Sequence, residues 1–331
     1  MNDSKPGVKV SVVAPIYNEL ENVELLCRQL HEALSGARWS YEIILVDDGS
    51  TDGSWDKMVA MTRVLPCIRV IRLRRNFGQT AAMSAGFDAA RGEYIVTLDA
   101  DLQNDPKDIP KLIERAEQGY DVVSGWRKDR KDPFINRRLP SMLANKLISK
   151  ITGVHLHDHG CTLKVYRHDV IKNVRLYGEM HRFIPALASW VGGSIDEVVV
   201  THHPRRFGTS KYGISRTIRV ILDLLTVKFL LHYSTGPIQM FGKVGALFML
   251  PGVLMFILMI GGNLLFRITG SPNLADDLVK RPFWIMSAFM FIFFGTQFIS
   301  MGLLAEMQIR TYHESQDKPI YVIKEQVASA G

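Results

Sequence analysis

The sequence predicts an α/β domain with a mostly parallel sheet, followed by two helices able to cross a membrane. Three observations carry this expectation. Apolar strand-like runs alternate with helix-like stretches through the N-terminal part. Polar motifs follow several of those runs. Two long, uncharged apolar stretches lie near the C-terminus.

The strand-like runs occupy 8–14, 41–46, 68–73, 94–98 and 121–124, and the helix-like stretches 19–35, 54–64, 77–90 and 108–119. Near-continuous apolar strands are buried on both faces, and a βαβα order places parallel strands between layers of helices. Ligands of such sheets bind beyond the carboxyl ends of the strands. Three polar motifs fall at such ends: Pro15-Ile-Tyr-Asn-Glu19, Asp47-Asp-Gly-Ser-Thr-Asp52 and Asp99-Ala-Asp-Leu-Gln103. The alternating oxygen donors of Asp99, Asp101 and Gln103 suit a hard divalent cation that also takes phosphate oxygens. No GxGxxG follows the first strand and no GxxxxGK[ST] occurs, which removes the usual support for dinucleotide or P-loop chemistry.

Residues 244–266 and 283–305 carry no charged side chain. At ~1.5 Å per residue each covers roughly 30 Å of hydrocarbon. Arg267, Lys280 and Arg281 border the loop between them, while Lys211, Arg216, Arg219, Lys228 and Lys243 precede the first. The larger basic cluster places the N-terminal side in the cytoplasm. Residues 213–235 read as an amphipathic helix that lies at the membrane interface or else packs on the globular domain, with Arg216, Arg219 and Asp223 opposite Ile218, Ile221, Leu225 and Phe229. The expected organisation is a cytoplasmic domain over 1–212, the interfacial helix, two spans within 236–310 and a cytoplasmic tail over 311–331. This describes an integral protein of the cytoplasmic (inner) membrane. The N-terminus has no apolar leader. A net charge of +7 suits anionic partners, and the spans favour phosphorylated substrates or an anionic lipid bilayer over nucleic acid. Cys27, Cys67 and Cys161 are scattered, which fits neither a disulfide framework nor a zinc site.

Taken in order, five motifs resemble the family 2 glycosyltransferases of GT-A fold over about residues 8 to 212. They are Val12-Val-Ala-Pro-Ile-Tyr-Asn-Glu19, Val46-Asp-Asp-Gly-Ser-Thr-Asp52, Arg75-Asn-Phe-Gly-Gln79, Asp99-Ala-Asp-Leu-Gln103 and Arg205-Arg-Phe-Gly-Thr-Ser-Lys211. The last two, followed by a pair of spans, are similar to the polyprenyl-phosphate subgroup. That subgroup includes dolichol-phosphate mannose synthases and the bactoprenol glucosyltransferases, and the two-span form is most similar to the latter. The QxxRW motif of processive polysaccharide synthases is missing, and Arg38-Trp39 lies upstream of the site.

The resemblance implies inverting, Mg²⁺- or Mn²⁺-dependent transfer of one hexose from a nucleotide-sugar donor, UDP-glucose, to polyprenyl (undecaprenyl) phosphate. A GDP-mannose-dependent enzyme, a processive synthase and a membrane-tethered nucleotide-sugar sensor are the alternatives. It implies that Pro15, Tyr17, Asn18, Glu19 and Asp47 hold the nucleoside and that Asp48 supports their loop. Gly78 and Gln79 belong to the donor side, Asp99 lies near the ribose or donor sugar, and Asp101 and Gln103 bind the metal. Arg127 and Arg205 meet the acceptor phosphate, with Ser210 and Lys211 in the same motif as Arg205. Either Arg137 or Arg138 adds a further acceptor-side guanidinium. Asp158 falls where relatives place a catalytic carboxylate, but its setting here is His157-Asp-His159 rather than Glu-Asp. Base and positioning roles are both open for it. A phosphate monoester has a second pKa of roughly 6 and arrives largely dianionic, so it hardly needs a base. His155, His157 and His159 alternate, which on a strand would give a zinc-binding face and otherwise a site-lining turn. Gly295 and Gly302 leave room for helix packing, within one chain or between copies in a homo-oligomer.

Overall fold

A computed structural model of the chain describes residues 7–128, 139–174, 176, 180–204, 224, 237–269, 282–315 and 320–328. Arg137, Arg138, Arg205, Ser210, Lys211 and, apart from Leu224, the expected interfacial helix lie outside the described residues.

Four βα units open the chain: β1 (Val10–Ile16), α1 (Leu20–Ser35), β2 (Tyr41–Asp47), α2 (Ser54–Val64), β3 (Ile68–Leu73), α3 (Gln79–Ala89), β4 (Tyr94–Thr97) and α4 (Ile109–Glu117). Then follow β5 (Val122–Trp126), α5 (Leu139–Thr152), β6 (Lys164–Arg167), α6 (His168–Ile171), α7 (Ile184–Trp190) and β7 (Ile195–Val199). The eight-stranded sheet has the order β7-β5-β6-β4-β1-β2-β3-β8, its last strand being β8 (Ile323–Ala328). β1 pairs in parallel with both β2 and β4, and β2 with β3. β6 runs antiparallel between β4 and β5.

Two successive crossovers lead from β1 to β3, and the next returns to the far side of β1. That reversal opens a crevice at the carboxyl ends of β1, β2 and β4, where all three polar motifs lie. α1 earns its place through Val23, Leu26, Leu30 and Leu34, spaced at three and four residues and all buried. Each such side chain contributes about 1.5–3 kcal/mol by leaving water. On the other face α3 presents Ala81, Ala82, Ala85 and Gly86, so that it lies tight against β1. The turn after β2 passes under the β3–α3 loop at Gly49, whose φ is +75°. A Cβ there would stand 2.6 Å from the Arg75 carbonyl carbon and 2.7 Å from the Asn76 nitrogen.

The expected C-terminal tail is in part a strand. β8 pairs antiparallel with β3, so Ile323–Ala328 belongs to the sheet. Compact packing accordingly divides the chain into 1–227 with 319–331, and 228–318. The second unit holds two long helices, α8 (Pro237–Thr269) and α9 (Pro282–Ser315). They contain the stretches Phe241–Leu265 and Pro282–Ala305, long and apolar enough to cross a membrane, with only 17% of the most apolar window of each buried. The helices pack antiparallel through small residues. A Cβ on Gly245 would meet the Gly295 carbonyl at 2.7 Å, and one on Gly252 the Ala288 carbonyl at 2.8 Å. Gly295 is thus used inside the hairpin, in the close small-residue packing common in membranes.

Replacing Gly49 by Ala is expected to cost about 2–3 kcal/mol, since it combines a strained backbone with a backbone clash. Thermal unfolding of the purified chain in detergent checks this; an unchanged midpoint would contradict the close approach at Arg75.

Candidate active site

The first two polar motifs are laced together. The amide of Asn18, itself at φ +53°, donates to Ser50 Oγ at 2.9 Å, and Thr51 N returns a bond to Asn18 Oδ1 at 2.9 Å. Glu19 N donates to Ser54 Oγ at 3.0 Å and Leu20 N to Asp52 Oδ2 at 3.1 Å. Pro15 lies within β1, and Tyr17 is exposed at the lip of the crevice. Ser50 and Asp52 belong to the Asp47–Asp52 motif, but their bonds to the first loop, like those of Ser54, are not readable from the sequence. Their pattern, short oxygen side chains around a turn and a helix start, is what such lacing needs.

Asp47 is fully buried. Its Oδ1 accepts from Ser50 N at 2.9 Å, and Arg72 Nε stands 3.2 Å from Oδ2. Arg72 in turn lies over the Trp55 ring. The two arginines inside the third strand, Arg69 and Arg72, were the available sign of such a partner. Asp48 serves a different loop from the one expected. Its carboxylate accepts from Phe77 N at 2.7 Å and Gly78 N at 2.9 Å, tying down the β3–α3 connection instead of the Pro15–Glu19 loop. Burial pushes its pKa up to about 6, against the pull of those two N–H groups. The same connection delivers Gln79, whose amide donates to Asp99 Oδ1 at 2.7 Å. One residue on, Thr80 Oγ1 shares a 2.9 Å bond with Nδ1 of buried His181, whose pKa burial pulls down to about 3.

After β4 the chain turns through Asp99, Asp101 and Gln103. Leu102, at φ +59°, makes the turn possible, and Gln103 N closes it on Asp101 Oδ1 at 3.2 Å. The segment after β7 lies alongside: His203 N donates to the Gln103 carbonyl at 2.8 Å and His202 bridges to Asn104. Both histidines were missed. Among the described residues no three His, Cys, Asp or Glu gather to hold a metal ion. What the turn offers is one buried carboxylate, Asp101, and the amide of Gln103. That donor set fits Mg²⁺ or Mn²⁺ when substrate phosphate oxygens complete the shell, because such ions take few protein ligands.

Beyond Asp99 lies a buried ion pair. Arg127 Nε and Nη2 donate to Asp158 Oδ2 and Oδ1 at 2.7 and 3.0 Å, with side-chain exposures of 13% and 4%. Burial opposes the guanidinium charge, but the Asp158 bonds and charge outweigh it and raise the Arg127 pKa. Gly160 N adds a 3.1 Å bond to Asp158 Oδ1. The carboxylate is therefore engaged on both oxygens. Lys164, unnoticed in the sequence, is fully buried beside this pair. It donates to the His159 carbonyl at 3.3 Å and to the Cys161 carbonyl, while burial lowers its pKa. Enclosure raises the pKa of Asp99, opposed by Thr162, Arg127, Gln79 and Lys164.

His157 and His159 do not share a face, the first being exposed and the second buried. His157 stacks on Trp126 at 4.1 Å and pairs with Glu197, whereas His159 Nε2 meets Ser149 Oγ at 3.0 Å. The segment 155–160 forms no strand, so the alternation gives no zinc-binding face. A cavity of about 380 Å³, lined by His155, Ser189, Asp196 and Glu197 among others, contains none of the candidate carboxylates.

A mixed, mostly parallel sheet with polar motifs at its switch point, and carboxylate and amide donors on the turn after β4, is the arrangement expected of a nucleotide-sugar-dependent glycosyltransferase. The comparisons agree. The model of the Glycosyl transferase family 2 matches residues 11–175, and the chain belongs to that family. It is 45% identical to a dodecaprenyl-phosphate galacturonate synthase of Rhizobium johnstonii, over 98% of this chain and 94% of that protein. It is 39% identical to an undecaprenyl-phosphate 4-deoxy-4-formamido-L-arabinose transferase of Photorhabdus laumondii, over 96% and 94%. In fold it is similar to glucosyl-3-phosphoglycerate synthase of Mycobacterium tuberculosis, with a TM-score of 0.54 at 16% identity, covering 69% of this chain and 81% of that one. The GT-A fold expected from the motifs is the fold observed.

Removing one partner of a buried ion pair strands the other charge. Asp158→Ala is expected to destabilise the chain by about 3–5 kcal/mol, and Arg127→Ala/Asp158→Ala by less than the sum of the single changes. Denaturant unfolding of the three variants measures this, and strict additivity would contradict the pair. Burial, then the Lys164 charge, lowers the His159 pKa to about 4, against about 6.5 in an unfolded chain. Between these values the unfolded state binds more protons. The stabilisation is full above pH 6.5 and is lost as pH falls through 4. His159→Gln should shrink the fall in melting temperature across that window; an identical fall would refute it.

Proposed function

We propose that this protein transfers one sugar, with inversion, from a nucleotide-sugar donor to polyprenyl phosphate at the cytoplasmic face of a membrane. The observation that carries the reading is near-full-length similarity, spans included, to transferases named for polyprenyl-phosphate acceptors. The site chemistry supports it. The nucleophile is a phosphate oxygen already charged near pH 7. It attacks the anomeric carbon, the bond to the diphosphate breaks, and the diphosphate departs with the electron pair. Asp158 need accept no proton, in keeping with its engagement by Arg127 and Gly160. Arg127 directs its charge to the acceptor while Asp158 fixes its plane, as guanidinium geometry favours. Asp99, held by Gln79, faces the donor sugar, and the laced Pro15–Glu19 loop encloses the nucleoside. Asp101 and Gln103 would hold Mg²⁺ or Mn²⁺, which when bound neutralises charge on the leaving diphosphate. Arg205, Ser210, Lys211 and either Arg137 or Arg138 complete the acceptor side in this reading.

For the sugar, glucose from UDP-glucose gives way to a uronate. The relative named for galacturonate is 45% identical, against 39% for the one named for formamido-arabinose. Chain connectivity supports the two-span arrangement, because the chain leaves the sheet unit before α8 and rejoins it through β8 after α9.

Membranes containing the protein, given undecaprenyl phosphate and UDP-galacturonate, UDP-glucose or GDP-mannose in turn, should yield a lipid heavier by one hexuronic acid. A lipid gaining only a neutral hexose would overturn the sugar assignment, and a polymer or no lipid product would overturn the reaction. Asp101→Ala should lower turnover roughly 10²–10³-fold, the scale of losing one transition-state electrostatic group, and excess EDTA should do the same. Full turnover in EDTA would refute the metal role.

A further inference from the structure

The C-terminal segment 320–328 joins the sheet, through β8, at one particular place. β8 pairs with β3 from Arg69↔Ala328 to Leu73↔Ile323. Past the end of β3, Arg74 N donates to the Val322 carbonyl at 2.9 Å. Tyr321, 9% exposed, donates its hydroxyl to Asp88 Oδ2 at 2.7 Å near the end of α3. Between these two anchors runs the connection that carries the donor-side residues: Phe77 and Gly78, held by Asp48, and Gln79, held against Asp99. The segment thus fixes the chain just before the loop and the helix just after it.

Little else holds the strand. Lys324, Glu325, Gln326 and Ala328 are exposed, and Val327 alone of its side chains packs on the core. Covering the β3 edge against stray strand pairing would account for the ladder. It does not account for a buried tyrosine hydroxyl reaching across to α3. Desolvation, then the bond to Asp88 and its charge, raises the pKa of that hydroxyl further above its already basic usual value.

We propose that Tyr321, through its bond to Asp88, is a positioning residue for the donor half of the active site, setting α3 and hence Gln79 against Asp99. The inference rests on the glycosyl-transfer reading above. It also means that the segment following the second candidate span is tied by the chain itself to the donor loop.

The test uses the full-length protein in membranes or detergent, with kinetics taken separately against nucleotide sugar and polyprenyl phosphate. Misplacing a reacting group by a fraction of an ångström is costly, so Tyr321→Phe should lower kcat/KM for the donor about tenfold. KM for the acceptor and the melting temperature should stay near wild type. Asp88→Ala should reproduce the defect, whereas Asp88→Asn, which keeps an acceptor oxygen, should restore most of the activity. Two results overturn the proposal: unchanged donor kinetics in Tyr321→Phe, or donor and acceptor parameters falling together in step with a lowered melting temperature. Failure of the wild-type protein to use any nucleotide sugar would instead overturn the underlying reading of function.

Discussion

The constraint that organises this structure is electrostatic: charged side chains are held in a protein-walled crevice whose substrates are themselves anionic. The bidentate Arg127–Asp158 pair is its clearest expression. Taking two charges out of water costs several kcal/mol per ion, and good geometry with further hydrogen bonds is needed to offset it. Gly160 N supplies one such bond, and Lys164 stands behind the pair with its ammonium on the carbonyls of the same turn. Such a site is poorly suited to proton abstraction and well suited to aligning a nucleophile that arrives charged.

Backbone geometry on the other side of the crevice follows the same logic. The β1–α1 loop, the turn after β2 and the β3–α3 connection are cross-linked by short oxygen side chains to peptide N–H groups. A donor site made this way is stiff before substrate arrives, which limits the ordering cost of binding. The antiparallel β6 matters here because it carries the 157–163 segment back under the carboxyl end of β4. There Thr162 accepts from Asn104 Nδ2 at 3.1 Å, and its carbonyl from Thr97 Oγ1 at 2.7 Å.

Much of the fold was legible because the parallel strands are apolar on both faces and the helices between them are amphipathic. β2, β3 and α2 fall within a residue of where the pattern puts them, while β1 runs on through Pro15 and Ile16 into what reads as a loop motif. β6 was not legible: Lys-Val-Tyr-Arg has charged ends, and its burial comes from neighbours on both sides. β8 was not either, since an exposed edge strand shows no apolar alternation and owes its conformation to β3. In the site, the oxygen-rich motifs announced themselves by position after strands. The change of loop for Asp48 and the Arg127–Asp158 partnership did not, because residues 29 to 31 positions apart meet only in the folded chain.

In the proposed reaction the acceptor brings its own charge and the protein supplies alignment. The most direct test is the pH dependence of single-turnover transfer to polyprenyl phosphate and to its thiophosphate analogue, whose second ionisation is more acidic. The acid limb should follow the acceptor, lying near its second pKa of roughly 6 for the phosphate and lower for the thiophosphate. An acid limb that stays in place when the acceptor is changed would belong to a carboxylate of the protein acting as a base, and would contradict a nucleophile that arrives charged.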